Sequence, residues 1–97
     1  MNQLEFLQEW YKSKCDGDWE HTYGIKIETL DNPGWIITID LEETDFENLV
    51  FSESEDISDD NWFQITAHNN KLMASGDPNK LVVLLSRIEN ILTQSTI

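Results

Sequence analysis

Thr22-Tyr23-Gly24-Ile25-Lys26-Ile27-Glu28-Thr29-Leu30-Asp31-Asn32-Pro33-Gly34-Trp35-Ile36-Ile37-Thr38-Ile39-Asp40-Leu41 reads as two strands joined by a turn. Successive side chains of an extended chain point to opposite faces. Tyr23, Ile25 and Ile27 therefore share one face, and Lys26 and Glu28 share the other. The alternation returns in Trp35, Ile37, Ile39 and Leu41. Between the two runs stands Asp31-Asn32-Pro33-Gly34, where Pro presets one dihedral and Gly tolerates positive φ. The pattern predicts strands over 22–30 and 35–41, paired as an antiparallel hairpin.

Upstream, residues 2–14 carry Leu4, Leu7 and Tyr11 on one helical stripe, with Phe6 and Trp10 beside it. Gly17 suits the stop, and residues 15–20 read as a short polar loop. Downstream, a third strand is expected over 47–53, around Leu49 and Phe51. A Ser- and Asp-rich mobile loop is expected over 54–60. A fourth strand is expected over 61–68, with Phe63, Ile65 and Ala67 inward and Trp62 alternating against them. Asn69-Asn70 is a turn, and 71–75 suits a short fifth strand. Asp77 as N-cap and Pro78 at the first helical position then open a last helix, carried by Leu81, Leu84, Leu85, Ile88 and Leu92. The order is helix, meander of four to five strands, helix. It predicts an α+β fold whose antiparallel sheet carries the N- and C-terminal helices on one face.

The 97 residues suit one domain over 1–97, burying roughly two-thirds of its unfolded surface. Four Trp supply large buried area and argue against disorder. Net charge is −13, from 19 acids and 6 bases. No Lys or Arg stands between Lys26 and Lys71, whereas Glu28, Asp31, Asp40, Glu42, Glu43, Asp45, Glu47, Glu53, Glu55, Asp56, Asp59 and Asp60 do. Such a charge repels nucleic acid and anionic lipid and attracts basic proteins. Solubility alone is the plainer reading of the same surplus. Cys15 is the only cysteine, so no internal disulfide forms, which fits a reducing compartment. Glu5 and Glu9 near the start do not suit a signal peptide, and the apolar run from Leu81 to Leu85 is too short for a bilayer. The expectation is a cytoplasmic protein, monomer or homodimer, with no membrane or nucleic-acid partner.

Cys15-Asp16-Gly17-Asp18-Trp19-Glu20-His21, followed by Tyr23-Gly24-Ile25 and Asp31-Asn32-Pro33-Gly34-Trp35, resembles the Immunity protein 53 family. Trp10-Tyr11, the Asp59, Asp60 and Trp62 element and Gly76-Asp77-Pro78 extend the resemblance over nearly the whole chain. One departure is Glu43 before Thr44, where the family pattern has Gly; it bears on the turn after the second strand. The resemblance implies an α+β antidote of a bacterial polymorphic toxin system, which binds and silences a cognate toxin. It carries over no binding residues.

Two clusters suit a partner surface. Trp19 among Asp16, Asp18, Glu20 and His21 has the composition of an interface anchor, though packing down as a core lid is the favoured reading of the ring. Asp56, Asp59, Asp60 and Trp62 form the second, with acids that must be exposed, since like charges are not buried together. The six acids are expected to steer a basic toxin, and Trp19 and Trp62 to anchor it. A nuclease toxin would suit best, because its groove must be basic to hold phosphates.

No metal or cofactor is expected. Asp16, Asp18 and Glu20 alternate but lack the glycine and distant Glu of a calcium loop, and His21 and His68 lack partners at zinc spacing. The alternative is a small sulfurtransferase-like or redox protein using Cys15. Acidic neighbours oppose a thiolate there, and a buried or half-buried structural cysteine is expected instead. No catalytic triad or phosphate loop is present in the sequence.

Overall fold

The computed structural model describes residues 2–94. Helix α1 spans Gln3–Lys14, short helix α2 spans Trp19–Thr22, and α3 spans Leu81–Leu92. Strands are β1 Ile25–Leu30, β2 Gly34–Asp40, β3 Phe51–Ser58, β4 Asn61–His68 and β5 Lys71–Gly76. They form one antiparallel sheet in the order β1-β2-β5-β4-β3. The fold is α+β, as the sequence predicts.

The sheet is not a simple meander. The hairpin β1–β2 stands beside the meander β3–β4–β5, and β5 joins them at the centre. Register sets Ile37 and Ile65 against Ala74, and Ile39 and Ala67 against Leu72, all on one face and all buried. Leu84, Leu85, Ile88, Ile91 and Leu92 of α3 close over this face, and α1 packs on α3 through the same core. Each fully buried Leu or Ile contributes about 1.5–3 kcal/mol.

Small residues set the approach. A Cβ on Gly76 would lie 2.8 Å from Lys80 Cβ, because the turn into α3 crosses directly over it. A Cβ on Gly34 would lie 2.4 Å from the Gly76 carbonyl oxygen. Gly34 is thus required by close approach, not by a positive φ, and it opens β2 one residue earlier than expected.

Other expectations are corrected. In α1 the buried side chains are Leu7 and Trp10, while Leu4 is 61% exposed and Tyr11 is exposed, so the apolar stripe is rotated from the expected one. Asn2 caps this helix by accepting the Glu5 N–H at 2.8 Å. The expected loop over 54–60 is instead most of strand β3, and only Asp59 and Asp60 turn. The third strand starts at Phe51 rather than at residue 47; residues 42–48 turn and 49–50 are irregular, and Phe46 and Leu49 pack on the core. Asp77 does not cap α3. Its helix begins at Leu81, and Asp77 organises the preceding turn. By contrast β4 has the expected bounds, and Asn69 and Asn70 turn with φ of 52° and 62°.

Candidate partner-binding surface

The two acidic clusters lie at opposite ends of the strands. Ile25 aligns with Ile39 and, across β5, with Ala67, which puts Trp19–Thr22 at that end of the sheet. Leu30, Gly34, Trp62 and Asp56 mark the other end. The structure therefore does not merge the eight candidate residues into one patch.

At the first end the chain leaves α1 and folds around its own carboxylates. Asp16 Oδ1 accepts the N–H of Asp18 at 2.9 Å and of Trp19 at 3.0 Å. The Glu20 carboxylate accepts the N–H of Asp16 at 3.0 Å and of Gly17 at 2.9 Å. The two amide donors hold the exposed Asp16 carboxyl below its ordinary pKa. Gly17 takes φ +99°, which suits only glycine comfortably. Asp16 and Glu20 are thus loop-building groups, while Asp18 is exposed and takes no such role. Trp19 is 3% exposed, edge-on to Trp10 at 6.1 Å, with Nε1 donating to the Glu42 carbonyl at 2.8 Å. Its ring is the core lid and offers no free face to a partner.

A cavity of about 390 Å³ opens beside this end, with Glu20, His21, Tyr23, Lys26, Asp40 and Lys71 in its lining. Asp40 and Lys71 form an ion pair in its lining, and the hydrogen bond from Lys71 to Asp40 raises the Lys71 pKa. Cys15 is exposed, contrary to expectation, and its thiol points back to the Tyr11 carbonyl at 3.3 Å. Among the described residues no Lys or Arg hydrogen-bonds to it.

The second end is built differently. Asp56 on β3 stands opposite Trp62 on β4, on the face away from the helices. Trp62 is half-buried there. A cavity of about 420 Å³ is lined by Asn32, Asp56, Ser58, Asp59 and Trp62, and a smaller one of about 220 Å³ by Ser54, Asp56, Trp62, Phe63 and Gln64. Asp56, Asp59 and Asp60 are exposed and belong to no ion pair among the described residues. The arrangement is an open notch with one aromatic wall and exposed carboxylates that can meet a cation. Sequence reasoning missed Asn32, Ser54, Ser58 and Gln64. Asn32 is distant in sequence and arrives only because the β1–β2 and β3–β4 turns share one end of the sheet.

Trp62 is fixed from beneath. The buried Asp77 carboxylate accepts the Trp62 N–H at 2.9 Å, the Asn79 N–H at 2.8 Å and Lys80 Nζ at 2.7 Å. Lys80, foremost, holds the Asp77 carboxyl below its ordinary pKa, against the opposing cost of burial. Lys80 Nζ also donates to Asn61 at 2.8 Å. Among the described residues no group of three or more His, Cys, Asp or Glu is placed to hold a metal ion, and no helix is long and apolar enough to cross a membrane.

The chain belongs to the Immunity protein 53 family, whose model matches residues 4–92. No curated protein and no solved structure matches it.

Proposed function

We propose, on the premise of membership in an immunity-protein family, that this chain binds a cognate bacterial toxin and neutralises it without catalysis. The toxin is basic and of nuclease type, and the complex blocks it by steric and electrostatic occlusion. The observation that carries this reading is the notch lined by Asp56, Asp59 and Trp62, with Asp60 next to it in the turn, where carboxylates unpaired among the described residues adjoin a half-buried aromatic ring. Charge there suits a positive substrate groove, and the ring supplies an anchor of the type that dominates interface energetics. Asp18 adds to the field from the far end of the sheet. Asp16 and Glu20 contribute charge while holding their loop.

An antidote must capture its toxin before damage accumulates. Electrostatic attraction raises association rates to about 10⁸–10⁹ M⁻¹s⁻¹ at low salt. The surplus of 13 negative charges serves that requirement. The test is co-expression with the toxin domain encoded by the neighbouring reading frame. Protection of the host, together with a stable complex on gel filtration, is the expected result. Failure of both would sink the proposal. A Cys15→Ser variant should protect equally well, since the thiol is engaged only with the Tyr11 carbonyl among the described residues.

A further inference from the structure

The sheet has two free edges, β1 and β3, and they differ in character. Unpaired edges expose a row of backbone donors and acceptors, which proteins commonly guard with Lys, Pro, shortness or bulges. The β1 edge is six residues long and carries Lys26. The β3 edge is eight residues long and contains no Lys, Arg or Pro. Its pairing to β4 is regular from Phe51 to Asp56, and a register shift follows before Ser58.

We infer that the free edge of β3 along Phe51–Asp56 is the seam on which a cationic, extended segment of the toxin adds as a further strand. This rests on the toxin-binding reading above and gives that surface its mode of recognition. Of the carboxylates along the seam, Glu53 is matched by Arg87 at 2.7 Å, and Arg87 also lies over the Phe63 ring. Glu55 and Asp56 are matched by no cation among the described residues, nor are Asp59 and Asp60 just beyond. The charge left over is complementary to Lys and Arg alone.

The same charge disfavours a second copy of this chain on this edge. Self-pairing through β3 would bring Glu53, Glu55 and Asp56 of both copies into one ladder, where opposed like charges destabilise. Apolar contacts are available at the ends of the seam, since Val50 is 82% exposed and Ile57 is 64% exposed. A strand laid on Phe51–Asp56 runs about 20 Å. It ends level with Trp62 but one strand beyond it, where a long Lys or Arg side chain would meet Asp56 and Asp59 and reach across β3 toward the ring.

Hydrogen exchange on the free chain and on its complex with the neighbour-encoded toxin domain tests the seam. Alternate β3 amides, those directed away from β4, should slow at least about tenfold in the complex, while β1 amides stay unchanged. The double variant Glu55→Lys/Asp56→Lys should weaken the complex by roughly ten- to a hundredfold, and Glu28→Lys on the opposite edge should not. A complex of full affinity in which the β3 amides keep their free-state rates overturns the seam and leaves toxin binding intact. Absence of any complex overturns both. The exchange measurement uses the unmodified chain, so a poorly folded variant cannot obscure the result.

Discussion

Glu43 takes φ 60°, the left-handed region that an L side chain enters at a cost of about 1–2 kcal/mol. This chain accepts strain there that a glycine would avoid. The Glu43 N–H donates to the Glu47 carboxylate at 3.0 Å, a bond that glycine keeps. Glycine also enlarges the unfolded ensemble, which offsets part of the gain. Glu43→Gly should therefore raise unfolding free energy by about 0.5–1 kcal/mol. A shifted urea midpoint at constant slope would show it, and an unchanged or lower midpoint would count against the strain. The two Trp residues divide in the same way between folding and binding. Trp19 is spent in the core, so Trp19→Ala should cost about 3–5 kcal/mol of stability. Trp62 lines the notch, so Trp62→Ala should leave the fold standing and weaken toxin binding about thirtyfold, as loss of an interface anchor does. Thermal melts paired with calorimetric titrations of both variants separate the roles. Equal loss of affinity and stability in Trp62→Ala would remove its status as an anchor.

Between β5 and α3, the turn at Asp77 joins three elements through one carboxylate. Its pKa is lowered in the fold, so it binds fewer protons there than in the unfolded chain at moderately acid pH. The stability it supplies is present above the ordinary carboxylate pKa of about 4 and is lost as pH falls through its lower folded value. Asp77→Asn should thus be less stable than the parent at pH 7, with the gap narrowing on acidification below about pH 4. Parallel urea titrations at pH 7 and pH 3 check this, and a gap independent of pH would contradict it. The turn also shows where local pattern stops being a sufficient guide. Asp-Pro was legible as a helix approach, but only Lys80 folding back over Gly76 explains why the helix waits until Leu81. Strand β4 was legible because Phe63, Ile65 and Ala67 alternate into the core. Strand β3 was legible only at its start, over 51–53, because the rest of an edge strand needs no apolar alternation; Ser52, Ser54, Glu55 and Asp56 face water. The central place of β5 was also hidden, since its order depends on pairing with β2 across a long connection rather than on its own residues. The notch was half legible. Asp56, Asp59, Asp60 and Trp62 cluster in sequence, whereas the separation of the Trp19 end follows only from register.

Over the whole molecule, four of the six positive groups are engaged by the chain itself. Lys71, Lys80 and Arg87 pair with Asp40, Asp77 and Glu53, and Lys14 lies over the Trp10 ring at 5.2 Å. The exposed carboxylates at the notch therefore face solvent with little local compensation. A field of this kind acts mainly before contact. It speeds encounter with a basic surface, while short-range packing at Trp62 and along β3 governs how long the complex lasts. Asp56→Asn/Asp59→Asn/Asp60→Asn should slow association with the toxin about tenfold at low salt and much less at 0.5 M, where the Debye length is about 4 Å. The parent's association rate should itself fall steeply with ionic strength. Dissociation should change far less in both cases, because the neutral Asn side chains preserve shape at the notch. Stopped-flow measurements across a salt series distinguish the two rates. If association proves indifferent to salt and to the triple substitution, recognition begins elsewhere on the surface and the acidic end is a solvated face without a steering role.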